Sequence, residues 1–302
     1  MASERNKPGV FVGELDAFPP SIVGVATAIP IFVGYTETAV DPASKRSRYR
    51  EAIRLSSMAD FLAWFGGAYQ ARAVVAPQPG AGAPPVPIGT ADFDALSSNG
   101  TAVGGGAYVV SPSPDMAGEV VVAGRFNLYP AMQMFFANGG GGCFVVSVGN
   151  YWGTDSQVPP VDGAPVRIDK ADLLQGLAVA GATPGATMLV VPDACLLVTP
   201  AGNGGPCTYP DYQPVAVEML RQSATLRDRV AMLDMPGALV PANWTPDAMK
   251  SEAEAFYEAI APAQGCFSYG AAYGPALQSS LMSAADLLYA SLKGTAASTT
   301  LM

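Results

Sequence analysis

Histidine is missing from this chain of 302 residues. Without an imidazole there can be no His-based triad, no His metal ligand and no histidine proton switch. Charge is also sparse. Charged residues make up 14% of the chain and hydrophobic ones 50%, which excludes a wholly disordered polymer or a highly charged tail. Basic residues are outnumbered, 16 against 25 acidic, for a formal net charge of −9. An acidic chain without a broad basic stripe is a poor candidate for nucleic-acid binding. Cysteine is limited to Cys143, Cys195, Cys207 and Cys266, with no Cys-x-x-Cys pair among them. Three of the four adjoin apolar segments, where a free Cys packs as a small hydrophobe. Long apolar runs are lacking too. The longest, Ile22 to Tyr35, is broken by Pro30 and falls short of the ~20 residues that span a bilayer. The opening MASERNKPGV has no apolar stretch of the secretory kind. These absences predict a soluble protein made in the cytoplasm, with no membrane insertion.

What is plentiful is glycine and proline, 33 and 27 residues, so loops are long or numerous. A chain of this length can bury about three quarters of its unfolded surface and needs no disulfide or metal staple. It has room for two domains, or for one with insertions. The densest basic run is Lys45, Arg46, Arg48, Arg50 and Arg54. A phosphate patch is one reading. A solvated face or a contact for an acidic protein partner fits the composition better.

Along the chain, residues 1–20 read as an N-terminal linker arm. A short strand, VFVGEL, sits between a polar start and the Pro19-Pro20 break. Such a strand either closes its own sheet or adds to a neighbour's. Residues 21–74 form a β-rich segment with one short helix. Ile22 to Tyr35 is expected as a mostly buried strand. Ser57 to Gly66 is a helix with Ser57 as N-cap, Asp60 three residues on, and Gly66-Gly67 as its stop. Met58, Phe61, Leu62 and Phe65 would form its inward stripe. Residues 75–106 are a Gly/Pro-rich surface loop.

From residue 107 onward, helix and strand alternate. Helices are predicted at Phe126 to Asn138, Asp169 to Ala180, Tyr212 to Arg227 and Thr245 to about Ala261. The third turns Val215, Met219, Leu220 and Leu226 inward, and the last stops at Pro262. Strands are predicted at Cys143 to Val148, Thr187 to Val191, Arg229 to Leu233 and Cys266 to Ala272. Repeated alternation implies an α/β fold with a mostly parallel sheet and crossover helices, preceded by the extended arm and β segment.

Searches for chemistry return little. The glycine run 139–142 follows a helix and precedes a strand, the reverse of a phosphate loop. Asn138-Gly139 is better read as a helix C-cap. Tyr151-Trp152 reads as a packed or interfacial aromatic pair. No Gly-x-Ser-x-Gly elbow is present. Asp193 and Asp234 both follow apolar strands, and carboxylates at the carboxyl ends of parallel strands can hold Mg²⁺. A Mg²⁺-dependent α/β hydrolase using these two residues is the best enzymatic reading, and a ligand-binding module without catalysis is a third.

Several segments together resemble one family. PGVFVGELDAFPPSIVGVATAIPIFVGYTE (8–37) is similar to the opening of contractile tail sheath proteins of phages and related extracellular contractile injection systems: a Pro-Gly-Val-aromatic-Val arm, then an apolar strand ending at Gly34-Tyr35-Thr36. SMADFLAWFGG (57–67) and FFANGGGGCFVVSVG (135–149) resemble two further family segments, the latter the most specific. LVVPDA (189–194), RVAMLDMP (229–236) and SYGAAYGPAL (268–277) continue in order.

The resemblance implies a structural, non-enzymatic subunit that stacks in rings as a helical tube around an inner tube. That tube contracts to drive the inner tube through a target envelope. The implied partners are further copies of the chain, the inner tube protein, and baseplate and terminal cap proteins. No cofactor, metal or catalytic residue is implied. Assembly would take place in the cytoplasm, within a phage tail-like or injection-system particle that can be released from the cell. Residues 107–302 would be the α/β sheath domain, with a family C-terminal domain absent from this chain. Pro8, Gly9, Val10, Phe11, Val12, Gly13 and Glu14 would form the inter-subunit arm. Lys45, Arg46, Arg48 and Arg50 are candidate inter-subunit charge contacts, paired with acidic surface on a neighbour.

Overall fold

The computed structural model describes residues 28–69, 73–77, 101–103, 108–111, 126–153, 166–198, 206–239, 245–275 and 292–293. The linker arm and residues 8–14 lie outside these.

A six-stranded sheet forms the centre. Its strands are β1 (Pro30–Thr36), β2 (Ala52–Leu55), β6 (Cys143–Asn150), β7 (Met188–Val190), β8 (Val230–Asp234) and β9 (Gly270–Tyr273), in the order β2-β6-β1-β7-β8-β9. Five strands run parallel, and β2 alone is antiparallel, along β6. The expectation of a mostly parallel α/β sheet is met. All seven residues of β1 are buried, as expected of a parallel strand covered on both faces. Pro30 opens β1, where its missing N–H costs least; residues 22–27 of the expected strand lie outside the described residues.

Among the described residues five α-helices accompany the sheet: α1 (Met58–Phe65), α2 (Leu128–Ala137), α3 (Lys170–Gly181), α4 (Tyr212–Leu226) and α5 (Pro246–Ile260). Their starts were legible. Ser57, Asp169 and Thr245 each accept a backbone N–H at the helix start, so one otherwise orphaned donor is satisfied at each. Gly139, at φ +83°, follows the Asn138 cap of α2, a conformation suited to glycine.

The alternating side chains of β1 feed two cores. Phe32 joins Val145, Leu128, Met132, Phe61 and Phe65 under α1 and α2. Ile31 and Val33 join Val148, Leu173, Leu177, Leu189 and Leu220 under α3 and α4. Helix α3 lies close to the sheet because Gly176 sits over Val33 and Val148, and a Cβ there would overlap both valine methyls.

Four expectations need correction. Leu62 is 46% exposed and Leu226 is also exposed. Leu62 falls off the narrow Phe61/Phe65 face, and Leu226 is the last residue of α4, where nothing covers it. Helix α5 ends at Ile260, beside the expected stop at Pro262, but a 3-10 run, Ala261–Tyr269, follows directly, since proline is tolerated at the start of a helical segment. That run takes up Cys266 to Tyr269, so β9 begins only at Gly270. Finally, the Gly/Pro-rich stretch is not all loop. β3 (Ala73–Pro77) and β4 (Thr101–Val103) both pair with β5 (Tyr108–Ser111), in a second sheet that includes β10 (Leu292–Lys293).

Candidate functional site

The strand order fixes where a ligand would be sought. From β1 the chain moves to β6 on one side, then crosses to β7, β8 and β9 on the other. In open α/β sheets the crevice at such a reversal, outside the carboxyl ends of the strands, is the usual ligand site. Here that crevice lies between the ends of β1 and β7, and Asp193 stands in it.

Asp193 lies in the short 3-10 turn Pro192–Leu196 that follows β7, and is wholly buried. Its Oδ2 accepts the N–H of Tyr35 at 2.7 Å. Its Oδ1 accepts the N–H groups of Asn127 at 2.5 Å and Leu128 at 3.2 Å. Asn127, the N-cap position of α2, makes no side-chain capping bond of its own. Asp193 therefore caps α2 from a distant element and ties that helix to the end of β1. Gly34 leaves the space: a Cβ there would stand 2.5 Å from Asp193 Oδ2 and 3.1 Å from Leu128 Cβ. Burial pushes the Asp193 carboxyl up to about 6, although the three backbone N–H groups pull it down. Desolvation outweighs the hydrogen bonds, as expected for a carboxylate with no cation beside it.

Asp234 ends β8, and although the residue is exposed overall, burial of its carboxyl pushes that group upward. Its main-chain oxygen accepts the Tyr212 hydroxyl at 2.6 Å. The two carboxylates expected to share a metal thus have different surroundings, and both oxygens of Asp193 are committed to main-chain donors. Among the described residues no three His, Cys, Asp or Glu side chains gather as metal ligands. Tyr151 and Trp152 are packed rather than presented, within an aromatic cluster with Tyr69 and Phe126. Cys143, Cys195 and Cys207 are buried free thiols and Cys266 is half-buried.

The basic run forms a loop beside edge strand β2. Arg48 pairs with Glu51 at 2.9 Å and Asp41 at 3.5 Å. Hydrogen bonds from Ser44 and Ala43 hold the Asp41 carboxyl down at about 2. Arg50 reaches Asp172 on α3 at 3.4 Å. Asp172 also accepts the Tyr35 hydroxyl at 2.7 Å. Two of the four candidate contacts therefore have partners within the chain. Lys45, Arg46 and Arg54 are exposed and make no ion pair with described residues.

Sequence reasoning missed the surface at the other edge of the sheet. Helix α5 buries Glu252, Phe256 and Ile260. It exposes Asp247, Glu254, Tyr257 and Glu258, with Lys250 standing 3.9 Å from Glu254. The signal was present as acidic residues at 247, 254 and 258, a helical spacing on the face opposite the apolar one. Beyond α5, Tyr273 on β9 is 58% exposed.

The chain matches no known family model, and no curated protein matches it. No helix among the described residues is long and apolar enough to cross a membrane.

Proposed function

We propose that this chain is a structural subunit of a contractile sheath, polymerising as a helical tube around an inner tube and contracting to drive it through a target envelope. The observation that carries the proposal is the ordered set of family-like segments. They span 8–37, 57–67, 135–149, 189–194, 229–236 and 268–277. Within the described residues they coincide with β1, α1, β6, β7, β8 and β9 and the turns that follow them. The likeness thus follows the parallel strands of one sheet rather than scattered surface loops. The filling of the switch-point crevice by Asp193 supports the same reading, because the place where this topology usually binds a small molecule is used for internal bracing.

In this proposal residues 8–14 link subunits through main-chain hydrogen bonds, as a strand added to a neighbour's sheet. Partners are other copies of the chain, the inner tube protein, and baseplate and cap proteins. Work is stored in the assembly, so the subunit needs no cofactor. Deleting residues 1–14 tests the linkage. The shortened chain is expected to keep its circular dichroism and thermal transition but to build no long tubes; tubes of ordinary length would reject the arm.

A further inference from the structure

The two edges of the central sheet carry charge of opposite sign. At the β2 edge, Lys45, Arg46 and Arg54 are exposed, and none makes an ion pair with described residues. At the β9 edge, α5 packs on the turn Pro236–Leu239 after β8 and on the 3-10 run leading into β9, and it exposes Asp247, Glu254 and Glu258. The sheet spans six strands from one end to the other, with five gaps between them. At about 4.8 Å per strand gap the edges stand about 24 Å apart. That is more than two screening lengths at about 0.1 M salt, where the Debye length is about 10 Å. The opposite charges therefore cannot neutralise one another within one molecule, and each remains available to a neighbour.

Strand direction adds to the charge. β9 runs with the parallel set, and β2 runs against it. Among the described residues each pairs on one side only. Two copies in the same orientation, set side by side, bring β9 of one against β2 of the next in antiparallel sense, with acidic α5 toward the basic loop. Exposed apolar side chains flank both ends: Leu62 on α1 beside β2, and Tyr257 at 52% and Tyr273 at 58% beside β9. A contact between two different patches on like-oriented copies is heterologous, and it generates rings or open filaments rather than closed dimers.

We infer that the β9/α5 edge of one copy docks against the β2 edge and basic loop of a second copy, the acidic residues Glu254 and Glu258 facing Lys45, Arg46 and Arg54. The inference rests on the proposed self-assembly and names the surfaces that meet. It differs from the arm linkage, which joins subunits through residues 8–14.

Two full-length variants test it. One carries Lys45→Glu, Arg46→Glu and Arg54→Glu. The other carries Glu254→Lys and Glu258→Lys. All five positions are exposed, and circular dichroism verifies that both variants fold. Analytical ultracentrifugation at 25 mM salt is expected to show each variant alone at least tenfold poorer than the parent chain in forming higher-mass species. A mixture of the two should recover them, because each variant then meets its opposite, and 0.5 M salt should abolish the recovery. Folded variants that stay monomeric when mixed would overturn the docking inference. So would single variants that associate as the parent does. Pairwise association is read without any tube. Parent tubes together with a failed mixture would therefore reject the docking surfaces alone, and a recovered mixture without parent tubes would reject the sheath reading alone.

Discussion

Asp193 and Gly34 meet where the end of β1, the start of α2 and the turn after β7 converge. The carboxylate holds the end of β1 and the start of α2 through three main-chain N–H groups, and the glycine supplies the space it occupies. Gly34→Ala forces a methyl against Asp193 and Leu128. A loss of about 1–3 kcal/mol is expected, the range for overpacking a filled site, read as a lower urea midpoint with unchanged slope. Asp193 also makes a pH prediction. Its folded acid constant of about 6 lies above the ordinary value of 3.8, so the folded state holds the proton more tightly than the unfolded one. Its contribution to stability is complete below pH ~4 and is lost as pH rises through about 6, with a size on the order of 3 kcal/mol. Asp193→Asn cannot titrate and places an amide N–H₂ against a main-chain donor. It should be less stable than the parent at pH 4, with a gap that narrows toward pH 7. A gap that stays constant between those values would contradict the assignment.

At the scale of elements, α3 shows how helix ends are held. Arg229 is buried, and its guanidinium donates to the carbonyls of Ala180 at 2.7 Å and Thr183 at 3.1 Å, the C-terminal end of that helix. Its charge is met by Asp228 at 2.7 Å. The cation thus adds a donor to carbonyls at the helix end, where Ala180 otherwise accepts only the N–H groups of the terminal turn, and lies at the favourable pole of the helix dipole. Arg229→Met removes both donated bonds and leaves Asp228 without its cation, at an expected cost of about 1–3 kcal/mol in chemical unfolding; an unchanged midpoint would contradict this role. Arg229→Lys, lacking the planar fork, should recover only part. These long-range ties explain what the sequence could and could not show. Helix starts at Ser57, Asp169 and Thr245 were legible because capping is local. The strands after α2, α3 and α4 were legible because apolar runs bounded by turn residues are local too. The clamp between Asp193 and Tyr35 joins residues 158 positions apart, and no local pattern announces it. That both Asp193 oxygens are taken up by main-chain donors was for that reason not legible. Cys266 to Tyr269 was misassigned because a short apolar run has no period of its own.

Across the whole molecule, the sheet brings two kinds of surface to its ends: a basic loop beside β2 and an acidic helix beside β9, with the usual ligand crevice filled between them. Under the sheath proposal, these two ends are the surfaces that meet between neighbouring copies. The measurement that bears most directly on this is electron microscopy of high-speed pellets from cells expressing the chain with its neighbouring genes. An antibody to the chain should decorate striated tubes in two forms, one long and narrow, the other short and wide. Pellets without labelled tubes, and a chain that remains a soluble monomer in the presence of those partners, would contradict the sheath proposal.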